Sequence, residues 1–146
     1  MPVSAAMIVV RIALAVAFLS AVADRFGMWG PPGSKGVAWG NIENYESYVG
    51  ILNWFAPTAL IPVLGWVATI AEIMIAIGLL VGWQLRWFAL AAGALLTIFA
   101  IAMIGALGPK PPLDYSVLSA ASAAFLLSAV ANSYQVRIEP SVAPAI

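Results

Sequence analysis

One carboxyl group is the starting point. Glu72 is the only ionisable residue in the apolar run from Pro62 to Gly82. An acidic side chain at the centre of a membrane helix costs about 2.5 to 3.5 kcal/mol, so it must face protein or a wet cavity and have a partner. Such a group can hold a buried ion pair, exchange protons with a ligand, or carry charge along a path. The first apolar run holds one charge of its own, Arg11. At the helical rise, Arg11 lies about 10 to 12 Å from the end of the bundle that carries the chain termini, and Glu72 about 15 Å from that same end. An arginine side chain spans the difference, so an Arg11–Glu72 ion pair is expected between the first and second spans. The pair has two uses that the sequence leaves open. It can fix the register of two helices, or it can form a polar pocket for a ligand head group.

A second set of polar residues falls at the opposite end. Asp24 and Arg25 close the first run, and Lys110, Asp114 and Tyr115 stand between the third and fourth. They are expected to gather over the bundle end as a polar mouth leading towards Glu72, with an Arg25–Asp114 contact tying the first and fourth spans. Asp114 is also placed where it would cap the fourth helix, accepting from its free amides at the positive end of the dipole. The sequence contains no cysteine and no histidine. Disulfides, dithiol redox chemistry, bis-histidine haem and the usual zinc or copper sites are therefore excluded. No metal site, no catalytic residue and no intrinsic cofactor is expected, and a redox role would need a bound quinone, a lipid or a partner subunit.

The elements that must position these groups follow from composition. The chain has 146 residues, 64% of them hydrophobic and 8% charged, with a formal net charge of zero and a mean hydropathy of +1.03. Soluble domains carry about 25% charged residues. The sequence predicts an all-α integral membrane protein, a single domain over 1–146, with the lipid bilayer as its first partner and no surface for nucleic acid. Four spans are expected, at about 3–23, 62–82, 87–107 and 115–131. The first also resembles a signal-peptide apolar region ending at Ala21-Val22-Ala23, but no basic residue precedes Arg11, and a retained helix is the expectation. Glycines at every third position from Gly27 to Gly36 make a turn-rich loop. From Asn41 onward Ile42, Tyr45, Val49 and Leu52 recur at helical spacing, so a short interfacial helix is expected at 41–55, stopped before Pro57.

The link after Gly82 is short, which makes the second and third spans antiparallel neighbours. Gly78 and Gly82 form a GxxxG pair suited to helix packing, and Ala13, Ala17 and Ala21 form a ladder of small residues on the first span. The Thr97 hydroxyl is expected to bond back to its own helix. A proline-broken tail over 133–146 is expected to be mobile. Basic residues outside the spans divide between the two ends, so charge bias does not fix the orientation.

Several of these residues together resemble a known family. An arginine entering the first span, Asp24-Arg25-Phe26-Gly27 at its exit, Glu72 followed by Gly78-Leu-Leu-Val-Gly82 and Arg86, and Pro112-Leu-Asp-Tyr-Ser116 before the fourth span resemble the DoxX family of small four-helix membrane proteins, over residues 7 to 131. The resemblance implies a four-helix bundle in a prokaryotic cytoplasmic membrane, both termini cytoplasmic, near quinone or a redox partner. The leading expectation is an accessory or structural subunit of a larger membrane redox complex, and not an enzyme on its own. The alternatives are a quinone-binding oxidoreductase component and a small proton-coupled carrier built as a homo-oligomer.

Overall fold

The computed structural model describes residues 2–138, with side chains to Ser133. Its described secondary structure is entirely helical. Four long helices, α1 (Val3–Arg25), α3 (Ile61–Val81), α4 (Leu85–Leu107) and α6 (Val117–Ile138), are joined through two shorter ones, α2 (Ile42–Leu52) and α5 (Lys110–Asp114). Local chemistry sets the ends. Asn41 caps α2 by accepting the Asn44 amide at 2.8 Å, with Glu43 in the first turn facing the positive end of the dipole. Proline sits in the first turn of α3, where its missing amide hydrogen costs nothing, and Gly82 ends the helix in the left-handed conformation at φ +77°. Ser116, at φ +55°, separates α5 from α6.

The long helices pack around a core of small and branched side chains. Leu14, Ala15 and Phe18 of α1 meet Ile75, Ala76 and Leu79 of α3, and the other half of the core comes from α4 and α6. Alanines there are completely covered, including Ala15, Ala76, Ala89 and Ala124. Covered alanines mark places where backbones approach closely, which is how helices associate when lipid removes the hydrophobic drive between them. Gly78 serves the same end for α4. A β-carbon at that position would stand 2.2 Å from the Phe88 ring. Gly78→Ala is therefore expected to lower stability by about 1 to 3 kcal/mol through overpacking, read as a drop in melting temperature in detergent. Partial recovery in Gly78→Ala/Phe88→Leu is expected, and unchanged melting of the single variant would show that the ring swings clear at no cost.

Outward faces are apolar. On α3, Val63, Val67, Ile70, Met74, Ile77 and Val81 are all at least half exposed, at the alternating spacing of one helix face. A continuous stripe of this kind fits contact with lipid and would be a liability in water. Three segments, Val3–Arg25, Thr58–Val81 and Leu85–Leu107, are long and apolar enough to cross a membrane. The apolar part of the fourth long helix, Val117–Ser133, is shorter.

Several boundaries differ from the sequence reading. The surface helix is shorter than expected and is followed by a 3-10 turn at Thr58–Leu60. The short helix α5 was not foreseen. Residues 133–138, expected to begin a mobile tail, continue α6 as helix. The rest of that tail lies outside the described residues.

Candidate functional site

At the end of α1 the chain places two opposite charges side by side and uses them in different directions. Arg25 turns inward. Its Nη1 donates to the Thr69 hydroxyl at 2.7 Å, and its Nη2 lies 2.8 Å from Oε1 and 2.7 Å from Oε2 of Glu72. Thr69 and Glu72 are three residues apart, hence on one face of α3. The pair is sealed, with side-chain exposures of 3% for Arg25 and 2% for Glu72. The Thr69 hydroxyl donates to the Gly65 carbonyl at 2.8 Å, so it accepts from Arg25 and donates within its helix.

Aromatic rings of α2 and the preceding loop close the site from above. The guanidinium carbon lies 3.9 Å from the centroid of Tyr45 and 5.5 Å from that of Trp39. Trp39 is braced edge-on by Tyr45 at 5.1 Å and by a tilted Tyr48 ring at 5.8 Å. Arg25 thus has a carboxylate and a hydroxyl below and a π-face above, the arrangement that suits a weakly hydrated planar cation. Gly65 lets α2 approach. A β-carbon there would be 3.3 Å from the Tyr45 ring.

Asp24 turns the other way. It accepts from the amides of Ala38 at 2.7 Å and Gly40 at 3.0 Å, with the Trp39 amide at 3.4 Å. One carboxylate thereby holds the segment that carries Trp39 against α1. Gly40 makes the fit possible, since at φ +71° a β-carbon would come within 2.5 Å of the Pro32 nitrogen.

Burial raises the ionisation point of the Tyr45 phenol above the ordinary 10.0. Arg25 opposes the rise and Glu72 adds to it. The Tyr45 proton is thus held more tightly in the folded state than in the unfolded chain. Its contribution to stability is full below pH 10.0 and is lost as pH rises through the elevated folded value. Ultraviolet titration of wild type against Tyr45→Phe is expected to show one tyrosine ionising later than a free phenol. A difference spectrum centred at or below 10.0 would contradict the burial of this ring.

The expected Arg11–Glu72 pair does not form. Arg11 donates from Nε to the Leu79 carbonyl at 2.9 Å and from Nη2 to the Leu80 carbonyl at 3.0 Å. It covers open carbonyls at the negative end of α3. The cause is register. An Arg11–Glu72 pair would require α1 and α3 to end in one plane, whereas α1 extends about 12 Å beyond the last turn of α3, the length of its eight residues before Arg11. The GxxxG pair is divided between neighbours as well. Gly78 receives Phe88 of α4, while a β-carbon on Gly82 would lie 2.4 Å from the Arg11 guanidinium. The two glycines serve different neighbours.

The expected polar mouth is not assembled either. Arg25 meets Glu72 in place of Asp114, and Asp24 is taken up by loop amides. Lys110 and Asp114 pair with each other one turn apart on α5, both well exposed, so the carboxylate of Asp114 serves α5 and not a cap on α6. Tyr115 is exposed and shares a groove with Asp24 on the outer face of α1. Thr97 bonds to the Gly93 carbonyl of its own helix.

Sequence reasoning missed Thr69, Trp39 and Tyr45, and it missed the tie by which Arg86 donates to the Asn132 side chain at 2.8 Å. Thr69 carries a legible signal, a hydroxyl one turn from the only carboxylate in its span. Among the described residues no group of acidic side chains could hold a metal ion. Comparison of the chain with protein-family profiles, curated proteins and solved structures finds no match.

Proposed function

We propose that this chain is a DoxX-like, four-span integral membrane protein of a prokaryotic cytoplasmic membrane, acting as an accessory subunit within a larger membrane redox complex. The observation that carries the proposal is how the charges in and beside the spans are used. Glu72 and Arg25 neutralise each other in a sealed site, Arg11 closes a helix end, and Asp24 fastens a loop. Each has a structural partner within the chain, and buried charges used this way contribute conformational specificity more than net stability. Such a bundle is a scaffold with lipid-facing helices and a rigid cap of α2 and its loop. Other subunits, or further copies of the chain, are its partners in this reading. In this reading α6 is the fourth span, its apolar part Val117–Ser133 lying at the short end of the lengths that cross a bilayer.

A second reading, a quinone-binding component of such a complex, draws support from the groove beside Tyr115, which the first reading does not require. A proton-coupled carrier draws none, because the carboxyl it would use lies enclosed beneath Tyr45 and Trp39. The test is purification in mild detergent with mass spectrometry of the protein and lipid-soluble fractions. A reproducible stoichiometric partner is expected. A chain recovered alone and as a monomer, from membranes solubilised under several mild conditions, would overturn the subunit reading.

A further inference from the structure

Two arginines stand on either side of the α3–α4 turn, and neither has a counter-charge. The Arg11 guanidinium lies against Gly82, the residue that ends α3, and Arg86 is in the first turn of α4. Four positions separate Gly82 from Arg86, at most about 14 Å of extended chain. Among the described residues every acidic side chain lies elsewhere: Asp24 and Glu72 beside Arg25, Glu43 and Glu46 on α2, Asp114 on α5. Charge is thus segregated between the two ends of the bundle.

The neutral partners of these arginines leave part of each guanidinium unused. Arg11 donates from Nε and Nη2 to the Leu79 and Leu80 carbonyls, which leaves Nη1. Arg86 donates from Nη1 to Asn132 of α6, which leaves Nε and Nη2, an edge on which a guanidinium holds an oxyanion through two parallel bonds. That edge is fixed in place. The Ser128 hydroxyl donates to the Arg86 carbonyl at 2.9 Å, and the guanidinium carbon lies 4.9 Å from the centroid of the Trp87 ring. A guanidinium only donates and keeps its charge, so what it lacks here is an anion with acceptor oxygens. Position decides which anion. Trp83 and Trp87 are both exposed on this turn, and tryptophan rings at the ends of membrane helices sit at the level of the lipid headgroups. From Trp66, exposed near the start of α3, to Trp83 just past its end the rise is about 26 Å, against about 30 Å for a hydrocarbon core. The turn therefore lies where headgroup phosphates lie. A zwitterionic headgroup would bring its own ammonium to an end with no carboxylate to receive it, whereas a glycerol headgroup brings only the phosphate.

We infer that the α3–α4 turn binds the phosphodiester of a net-anionic phospholipid between Arg11 and Arg86, with the Trp83 and Trp87 rings against the upper part of its acyl chains. The inference rests on the bundle spanning a membrane and not on the subunit reading.

The experiment uses the full chain in an uncharged detergent, offers phosphatidylglycerol and phosphatidylcholine of the same acyl chains together, and reads the ratio of the two retained by native mass spectrometry. An arginine beside anionic lipid contributes about fivefold, so wild type is expected to favour phosphatidylglycerol by at least about tenfold. Arg11→Gln and Arg86→Gln are each expected to lower the ratio about fivefold. Arg86→Lys, which keeps the charge, is expected to restore most of it. Lys110→Gln, which removes a cation already paired with Asp114 at the other end, is expected to leave the ratio unchanged, and excess inorganic phosphate is expected not to displace the lipid. Because both lipids compete in one sample, the ratio does not depend on how much of a variant folds. A wild-type ratio near one, a wild-type ratio in either glutamine variant, an equal loss in Lys110→Gln, or displacement by inorganic phosphate overturns the inference. Recovery in the membrane fraction and co-purification of a partner are scored separately, so failure of this site, of the membrane reading and of the subunit reading give three different results.

Discussion

Glu72→Gln is expected to cost about 3 to 5 kcal/mol, the usual penalty for removing one member of a buried ion pair. The amide keeps the shape of the side chain and can still accept one hydrogen bond, but it leaves the Arg25 guanidinium without a counter-charge at a site from which water is excluded. Tyr45 and Trp39 above the cation offset only a little of this, since a cation–π contact contributes about 0.5 to 2 kcal/mol. Arg25→Gln is expected to be similarly damaging, because it strands the carboxylate. The double variant should then be much less destabilised than the sum of the two, giving a coupling of at least about 1 kcal/mol. Melting temperatures of the four proteins in one detergent measure this. Additive effects would mean that Arg25 and Glu72 do not meet. The same cycle with Arg11 in place of Arg25 is expected to be additive, because Arg11 holds backbone carbonyls at the far end of α3.

The second large effect is expected at Asp24. Asp24→Ala deprives the amides of Ala38 and Gly40 of their acceptor, and the Gly40 amide is buried. A stranded buried amide costs about 1 to 3 kcal/mol. The loss should be localised as well as global, because the carboxylate is what holds residues 38–40 to α1. Cleavage within residues 27–40 by a soluble protease is therefore expected to speed up, while α3 and α4 stay protected. Asp24→Asn should fall between the two, since its carbonyl oxygen can still accept. Wild-type cleavage of Asp24→Ala would show that the loop is held by its aromatic contacts alone.

The helical architecture was largely legible in the sequence. Apolar runs of membrane length, the glycine and proline punctuation and the 3.6-residue pattern after Asn41 require no knowledge of neighbours, because helices satisfy their own backbone groups. The obligation of Glu72 to find a cation was equally legible, since the cost of an unpaired carboxylate in a membrane depends on the group and its depth alone. Which cation it found was not. Arg11 and Arg25 sit on one helix about 21 Å apart by rise, and either could reach α3 under some axial offset. The offset comes from packing along the whole α1–α3 seam, through Ala15, Phe18, Ala76 and Leu79, and from a loop that lets α1 and α3 end at different levels. Asp24 shows the same limit. Its charge was visible, but its partners are amides of residues fourteen and sixteen positions later, brought back by turns whose path depends on Gly40 fitting against Pro32. The sequence determined that these charges must be neutralised and which helices would carry them. Tertiary structure decided the pairing, because pairing depends on relative helix height and rotation, and those are properties of the packed seam and of no single segment.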